Sequence, residues 1–446
     1  RDLVRSRGLG DVYKRQTQRE LTPGEGLEFV IRGVRDRYLG VDESWKELYT
    51  WYRQNEGQKV DRILDAGFFK KKPDALTGEE AAELYGEKKQ FSVTRMERFS
   101  ACAYAHFLTY GLHLSDRERY EFEAMDLGNI AHQSMERFAR KAQEKRMPWP
   151  KLEEVQRDAM IEESVEESIK DYGNTVLYST ARNEYMIVRI KQLIRRSVWA
   201  LTRQMEKGDF EPSGYEMNFG SGKIDRVDTC EDEDVVYVKV TDYKTGMKSF
   251  DIVALYHGLQ MQLPVYLNAA LELEERRASG KTVEPAGIFY YRIKDPIVDR
   301  EKDDHALEEK ILKELRLDGM INAKEEVIEH LEHQLSGTSV LNPIGKNKDG
   351  SLNRYSKVLP PEAFAAMLSY TKKKEARVKR QIYAGEVQAN PYELNGSTGC
   401  DYCAYRDICG FDPRLDGYAY RSLEKYSKEE VIRRMEEEIE NREEPS

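Results

Sequence analysis

Residues 222–244 have the sequence GKIDRVDTCEDEDVVYVKVTDYK, and this stretch decides the fold that the sequence predicts. Valines recur at every second position from Val236 and lead to Asp242 and Lys244, which is the spacing of a β-strand. The acidic segment Glu231–Asp234 predicts a turn before this strand. We therefore expect a β-hairpin that brings Asp225, on the first strand, close to Asp242.

These two carboxylates predict a metal site. Neighbouring carboxylates repel each other unless a cation lies between them, and oxygen ligands suit Mg²⁺. Lys244 would place an ammonium group where a water molecule or a phosphate oxygen can be held. A lone Asp-x-Lys sequence is more often a solvated charge pair, so the interpretation depends on its neighbours in the chain.

Two further spacings accompany the hairpin. Gly128 and His132 form a G-x3-H pattern in a predicted helix over 126–145, and Gln262 and Tyr266 lie one turn apart in a later helix. A histidine on such a helix face is, on its own, more often a satisfied core residue. The ordered set G-x3-H, G-h-h-D, D-Y-K and Q-x3-Y resembles the RecB-type nuclease family of the PD-(D/E)XK superfamily.

This resemblance implies an α/β fold: a PD-(D/E)XK nuclease core with a mixed sheet flanked by helices, and with helical additions. It implies metal-dependent cleavage of DNA, with His132, Asp225 and Asp242 as ligands of Mg²⁺. Lys244 would assist the attacking water or the developing negative charge. Gln262 and Tyr266 would orient Lys244 or the substrate backbone.

A second group of candidate ligands lies near the end of the chain, where Cys400, Cys403 and Cys409 follow a C-x2-C-x5-C spacing. Together with Cys102 they supply four thiolates, which is enough for Zn²⁺ or for a [4Fe–4S] cluster. Residues 92–411, about seven-tenths of the chain, resemble the AddB branch of the nuclease family. That branch has an iron–sulfur clasp with this spacing, so the resemblance favours the [4Fe–4S] cluster over zinc. We expect Cys230, at the hairpin turn, to be an ordinary thiol.

The net charge of −10 argues against a surface that is basic everywhere, so any contact with DNA must be local. Two helical segments are rich in Lys and Arg and are expected to be either DNA-facing patches or solvated faces. They contain Arg189, Lys191, Arg195, Arg196 and Arg203, and Lys372–Lys374, Arg377, Lys379 and Arg380. We expect Glu216 to be a surface residue of a strand, with an additional outer carboxylate of the metal site as the alternative. We expect His330 and His333 to be surface residues, because no carboxylate or cysteine cluster accompanies them in the sequence.

The expected domain organisation has four parts. Residues 1–16 are expected to be a non-native junction, with a short basic arm as the alternative. Residues 17–90 are expected to be the helical end of a helicase-like region, residues 91–415 the nuclease domain with its iron–sulfur clasp, and residues 416–446 an acidic helical tail. Within the nuclease domain, Ser92 is expected to be the N-cap of a helix that runs to about Tyr110 and contains Cys102. Residues 300–340 are expected to be a mostly helical insertion.

The function expected from the resemblance is that of a Mg²⁺-dependent exonuclease in a helicase–nuclease complex. It would hydrolyse single-stranded DNA ends during double-strand break repair by recombination, in a heterodimer with an AddA-type helicase–nuclease subunit. A cytoplasmic bacterial location is expected, since the sequence has neither a secretory signal nor an apolar run that could span a membrane. The alternatives are a stand-alone exonuclease of the CRISPR-associated type and a non-catalytic scaffold that binds DNA ends.

Overall fold

The structure is a computed structural model. It describes residues 22–36, 43–67, 75–86, 91–115, 124–172, 180–220, 222–278, 280–301, 303–415 and 417–441. The expected junction at residues 1–16 therefore lies outside the described residues.

The chain divides into two compact units, residues 1–73 with 411–419 and residues 74–410 with 420–446. The first unit contains the helices α1 (Pro23–Asp36), α2 (Trp45–Asn55) and α3 (Gly57–Gly67). These helices share a small apolar core of Val30, Tyr52 and Val60. The second unit contains the sheet and all the candidate site residues. The domain boundaries expected from the sequence stay predictions.

A mixed six-stranded sheet in the order β1-β2-β3-β4-β5-β6 forms the centre of the second unit. Its pairs are antiparallel except for β3 with β4 and β5 with β6, which are parallel. A small sheet of three strands has the order β8-β7-β9. The strands are β1 (Glu211–Asn218), β2 (Lys223–Glu231), β3 (Val235–Lys244), β4 (Thr282–Arg292), β5 (Asp318–Asn322), β6 (Val358–Leu359), β7 (Tyr392–Leu394), β8 (Ser397–Thr398) and β9 (Arg421–Ser422).

Helices cover both faces of the large sheet. The described helices of the second unit are α4 (Gly78–Tyr85), α5 (Val93–Ala101), α6 (Ala103–His106), α7 (Ala124–Glu144), α8 (Glu154–Asp171), α9 (Ala181–Met205), α10 (Ile252–Tyr256), α11 (Gln262–Glu275), α12 (Asp304–Glu314), α13 (Glu325–Leu331), α14 (Pro361–Tyr383), α15 (Arg406–Cys409) and α16 (Lys428–Glu440). One apolar core joins the sheet to α4, α5, α10, α11, α14 and α16, and the other joins it to α7, α8, α9 and α13. No helix in the described part of the chain is long and apolar enough to cross a membrane.

The predicted hairpin is confirmed as β2 and β3, with Arg226 opposite Thr241 and Glu231 opposite Val236. Strand β3 is buried on both faces because helices cover both sides of the sheet. Val236, Val238 and Val240 pack in the core that contains α11, whereas Tyr237 and Tyr243 pack in the core that contains α7. The expectation of a mixed α/β fold is therefore confirmed, while the iron–sulfur clasp stays a prediction.

Two local expectations are wrong. Ser92 caps α5 as expected, but the helix ends at Ala101 and Cys102 is extended, with φ −165° and ψ 119°. The chain then continues through α6 and a π-helical turn, Phe107–Gly111. Residues 300–340 contain the helices α12 and α13, but they are not an insertion, because β5 between these helices is a strand of the central sheet, next to β4 and β6.

Candidate active site

The hairpin places Asp225 and Asp242 side by side at one end of the sheet. Because Arg226 pairs with Thr241 in an antiparallel register, the next position brings Asp225 level with Asp242. Asp225 Oδ2 accepts a hydrogen bond of 2.7 Å from the backbone N–H of Tyr243. Asp242 is almost completely buried, with 1% of the residue exposed.

Three other predicted residues converge on these carboxylates. Lys244 Nζ forms an ion pair with Asp242 Oδ2. Gln262 Nε2, at the start of α11, lies 2.9 Å from Asp242 Oδ1 and donates a hydrogen bond to it. The same nitrogen lies 2.9 Å from the hydroxyl oxygen of Tyr266, one helical turn later. The structure therefore places Gln262 on the carboxylate, whereas its expected contact with Lys244 is not among the hydrogen bonds of the described residues.

Helix α7 brings His132 to the other side of Asp225. The helix approaches the loop after β3 closely, since a Cβ at Gly128 would lie 3.0 Å from Thr245 Oγ1. His132 Nδ1 lies 3.3 Å from Asp225 Oδ2. Burial lowers the pKa of His132, so the imidazole favours its neutral form, which is the form that can bind a metal. The G-x3-H spacing thus places the glycine at a close contact and the histidine in the site.

The charges at this site favour a bound cation. Burial and the charge of Asp242 raise the pKa of Asp225 well above its usual value, although the Tyr243 N–H opposes this effect. Asp242 Oδ2 is buried and, apart from its ion pair with Lys244, has no hydrogen-bond partner among the described residues. Two adjacent carboxylates beside a neutral imidazole fit a divalent cation such as Mg²⁺.

A cavity of about 550 Å³ opens on this group, and its walls include His132, Asp225 and Lys244. Glu216, on β1, also lines it. The β1–β2 register places Glu216 level with Asp225. Its side chain is only 14% exposed, and burial, followed by the charge of Glu136, raises its pKa. The expectation of a surface glutamate is therefore wrong. Its backbone has a φ of +46°, which is uncommon for a residue other than glycine.

Glu97 supports the site and was not singled out in the sequence. Its Oε1 accepts hydrogen bonds from the backbone N–H groups of Met261, at 2.7 Å, and Gln262, at 3.0 Å. These are donors at the N-terminus of α11, which have no partner within the helix. Glu97 therefore fixes the start of the helix that presents Gln262 to Asp242. Glu97 lies 164 positions before Met261, so no local sequence pattern predicts the contact between them.

The two aspartates of β2, Asp225 and Asp228, have different surroundings. Asp225 faces the site, whereas Asp228 lies in a buried ion cluster with Arg226 and Lys239. Arg226 Nε lies 2.6 Å from Asp228 Oδ1, and Lys239 Nζ lies 3.4 Å from Asp228 Oδ2. All three residues are less than 10% exposed. Asp228 thus has a structural ion pair where Asp225 has an acidic neighbour.

The basic segment of α9 does not form a free cationic patch. Lys191 and Arg195 pair with carboxylates of α8, including Glu162. Arg189 and Arg196 pair with Asp295. The structure therefore favours the expected alternative of a solvated face cross-linked by ion pairs.

The basic segment of α14 is also engaged. Lys372 Nζ lies 2.8 Å from Glu272 Oε1, and Lys373 donates hydrogen bonds to the last turn of α16 and the residue after it. Burial lowers the pKa of Lys374 to about 8. Arg377 pairs with Glu438 on α16. These side chains hold α14 against its neighbours, which favours a structural role over a DNA-facing patch.

The four predicted cluster cysteines lie in one region. Cys102 and Tyr405 share a small apolar cluster against which Cys403 packs. Burial raises the pKa of Cys400, and the thiols of Cys102, Cys403 and Cys409 add to this effect. A Cβ at Gly399 would lie 2.9 Å from the carbonyl oxygen of Ala101. Segments about 300 residues apart are thus in close contact, as the predicted clasp requires.

The donor set of four thiols fits a [4Fe–4S] cluster or Zn²⁺. In the described part of the chain, these thiols are not among the groups of three or more ligand atoms within 4.8 Å of one another. Tyr405 holds the cysteine loop independently of any metal, because its hydroxyl donates a hydrogen bond of 2.8 Å to the carbonyl oxygen of Leu114.

Contrary to expectation, Cys230, His330 and His333 form a cluster with Asp209. His330 Nδ1 lies 2.8 Å from Asp209 Oδ2, and His333 Nε2 lies 2.9 Å from Asp209 Oδ1. The expectation that no carboxylate or cysteine accompanies these histidines is therefore wrong. The sequence conceals the cluster because its members come from three separate segments.

Comparison with known proteins agrees with this geometry. The family model of the PD-(D/E)XK nuclease superfamily matches residues 90–410. A protein of Lachnoclostridium phytofermentans, named as a subunit of an ATP-dependent helicase/deoxyribonuclease, is 37% identical over 91% of this chain and 37% of its own length. Proteins of the same name from Alkaliphilus oremlandii and Alkaliphilus metalliredigens are 32% and 31% identical over 96% and 98% of this chain.

The chain spans about two fifths of the length of these curated relatives, 37–40%. The matched residues include the whole central sheet and all the predicted site residues, from Cys102 to Cys409. The chain therefore belongs to the PD-(D/E)XK nuclease superfamily.

Proposed function

We propose that this chain hydrolyses phosphodiester bonds of DNA with the help of Mg²⁺. The observation that supports the proposal is that His132, Asp225 and Lys244 line one cavity, with Asp242 buried behind them and paired with Lys244, in a chain of a nuclease superfamily. A protein that only binds DNA has no need of two adjacent carboxylates when burial, and then the charge of Asp242, raises the pKa of Asp225.

Asp225, Asp242 and His132 would hold Mg²⁺, and Glu216 lies close enough to contribute through a water molecule. When bound, the ion lowers the pKa of a water ligand and offsets negative charge on the phosphate. Lys244 supplies a second positive charge beside the position where charge develops as water attacks phosphorus and the P–O bond to the leaving group breaks. Gln262 keeps Asp242 in place through its hydrogen bond.

The substrate and partner are inferred from the name of the relatives, which describes them as subunits of a helicase/deoxyribonuclease. A helicase produces single strands, so we propose that single-stranded DNA ends are the substrate and that an AddA-type helicase–nuclease subunit is the partner. The cavity is open at the surface, as access for a strand requires. Double-strand break repair and a cytoplasmic location belong to the same proposal.

We also propose that Cys102, Cys400, Cys403 and Cys409 hold a [4Fe–4S] cluster. Its role would be structural, because the four thiols join the first helices of the domain to its last loop. Cys102 is in extended backbone between two helices, a conformation that turns its side chain away from the helical pattern. Thiolate ligands bind only where the site is assembled, which couples cluster binding to folding.

A cleavage assay tests the proposed activity. The full chain is incubated with end-labelled single-stranded DNA in Mg²⁺ or in EDTA, and circular single-stranded DNA is the control for a requirement for ends. We expect short products from the linear strand in Mg²⁺ only. Binding without cleavage in Mg²⁺ would support the scaffold alternative, and cleavage in EDTA would contradict the role of the metal.

A further inference from the structure

A second group of metal-binding side chains lies at the opposite end of β2 from Asp225. Ligand atoms of Asp209, Cys230 and His330 all lie within 4.8 Å of one another. His333 Nε2 lies 2.9 Å from the second oxygen of the Asp209 carboxylate. Cys230 lies five positions after Asp225 on β2, which corresponds to about 17 Å along a strand. The two groups therefore cannot share one ion.

We infer that Asp209, Cys230, His330 and His333 form a binding site for a transition metal of the Zn²⁺ class. One thiolate, two imidazoles and one carboxylate are a donor set that suits Zn²⁺, whereas Mg²⁺ prefers oxygen alone. Asp209, Cys230 and His330 supply the three donors that already lie close together, and His333 would complete a tetrahedral shell, which is the arrangement of structural zinc sites. The site does not depend on the proposed nuclease function.

The distances are compatible with such a shell. Two nitrogen or oxygen ligands of one tetrahedral zinc ion lie about 3.3 Å apart, given bond lengths of about 2.0–2.1 Å. His330 Nδ1 lies 2.8 Å from Asp209 Oδ2, and His333 Nε2 lies 2.9 Å from the other carboxylate oxygen, Oδ1. A shift of about 0.5 Å would thus exchange the hydrogen bond of His330 for bonds to a metal, whereas His333 would reach the same ion after a further movement of its side chain.

The backbone holds these donors together before any metal binds. The N–H of Asp209 donates to the carbonyl oxygen of His330 at 2.9 Å, and the N–H of His333 donates to that of Lys207 at 2.8 Å. A Cβ at Gly208 would lie 2.4 Å from the His330 oxygen, so the segments approach more closely than a side chain there would allow. Such preorganisation reduces the entropy that ligand binding must overcome.

The surroundings also favour a cation. Asp232 Oδ2 lies 3.8 Å from His330 Nε2 and adds negative charge beside the four donors. Cys230 is only 4% exposed, whereas His333 is 44% exposed. A metal can therefore enter from the solvent side and reach a protected thiol. A bound ion would join the loop after α9, the β2–β3 turn and the end of α13.

Cobalt titration of the full chain tests this site, because Co²⁺ occupies zinc sites and absorbs visible light. We expect chelator-treated protein to bind Co²⁺ with the bands of a tetrahedral ion and with a thiolate-to-metal charge-transfer band. Cys230→Ser should remove the charge-transfer band of this site, and His333→Ala should weaken its Co²⁺ affinity at least about tenfold. The partly exposed His333 can be replaced without unfolding the protein, so this variant decides the matter if Cys230→Ser does not fold.

Two controls separate this site from other histidines and cysteines. His305 is an exposed histidine that lies 3.9 Å from Glu309 and does not belong to a group of metal-ligating residues in the described part of the chain. His305→Ala should therefore leave Co²⁺ binding unchanged. Cys403→Ser removes one of the four clasp thiols. This variant should still bind one equivalent of Co²⁺ at the Asp209 site, with the charge-transfer band that depends on Cys230. The inference is overturned if His333→Ala binds Co²⁺ as tightly as the unchanged chain, or if all thiolate absorption disappears with Cys403→Ser and none with Cys230→Ser.

Discussion

Asp225→Asn should make the metal-free protein more stable while it abolishes cleavage. The replaced side chain is 12% exposed and lies beside Asp242 across the hairpin. Opposite side chains on antiparallel strands are about 5 Å apart. Two full charges at that distance repel each other by about 3 kcal/mol at an effective dielectric constant of 20. Asparagine keeps an oxygen that can accept the Tyr243 N–H, and it has no charge.

Part of this repulsion is already relieved by the proton that the raised pKa of Asp225 retains. We therefore expect the variant to gain about 1–3 kcal/mol of unfolding free energy in EDTA. Because the folded-state pKa is above the unfolded value of about 3.9, the wild-type stability falls as pH rises from about 4 to the folded-state pKa. The variant lacks this dependence, so its advantage should be greater at pH 8 than at pH 5.

Urea denaturation in EDTA at the two pH values measures this difference, and the same experiment in Mg²⁺ shows the effect of the metal. Mg²⁺ should stabilise the wild type more than the variant, because the ion binds only the folded site. A variant that is less stable than the wild type in EDTA at pH 8 would refute the argument. That result would mean that hydrogen bonds to the carboxylate outweigh its repulsion by Asp242.

Three further predictions concern individual side chains. Lys244→Ala removes the cation beside Asp242 and should lower the rate of single-strand cleavage at saturating Mg²⁺ by about 100-fold or more; a rate within threefold of the wild type contradicts the role of Lys244. Glu97→Ala leaves N–H groups at the start of α11 without acceptors, so calorimetry should show a lower melting temperature and a loss of about 2–3 kcal/mol, and cleavage should fall as Gln262 moves. An unchanged melting temperature would refute this. Cys102→Ala should lower both the iron content and the melting temperature of anaerobically purified protein; colourless wild-type protein whose zinc content falls in Cys102→Ala would replace the cluster by zinc and retain the clasp.

The hairpin and its acidic pair were predictable because strand periodicity and turn composition are local signals. The alternating valines of β3 indicate which residues share a face, and the antiparallel register then places Asp225 beside Asp242. The order of the four motifs supplied His132, Gln262 and Tyr266, whose contacts depend on the fold. The resemblance to the nuclease family likewise grouped Cys102 with Cys400, Cys403 and Cys409 as candidate ligands of one metal site.

Other features depend on contacts that no local pattern encodes. The role of Glu97 arises from a contact with α11, far along the chain. Glu216 has a left-handed backbone in a strand, whereas the sequence around it predicts only an ordinary strand. The Asp209 cluster joins three segments, and the helix break at Cys102 overrides a continuous helical pattern. The sequence could not decide whether the basic helices face DNA or solvent, because carboxylate partners of their side chains lie on other helices, including α8 and α16.

The most direct test of the metal-dependent site compares two buried carboxylates of the same hairpin, Asp242 and Asp228. Both are 1% exposed, but Asp228 pairs with Arg226 and Lys239, away from the cavity. Single-strand cleavage is measured in Mg²⁺ for Asp242→Asn and Asp228→Asn, at a temperature at which both variants are folded. We predict that Asp242→Asn loses cleavage by about 100-fold or more, whereas Asp228→Asn is less stable but cleaves at nearly the wild-type rate. Wild-type cleavage by Asp242→Asn would contradict the assignment of the site.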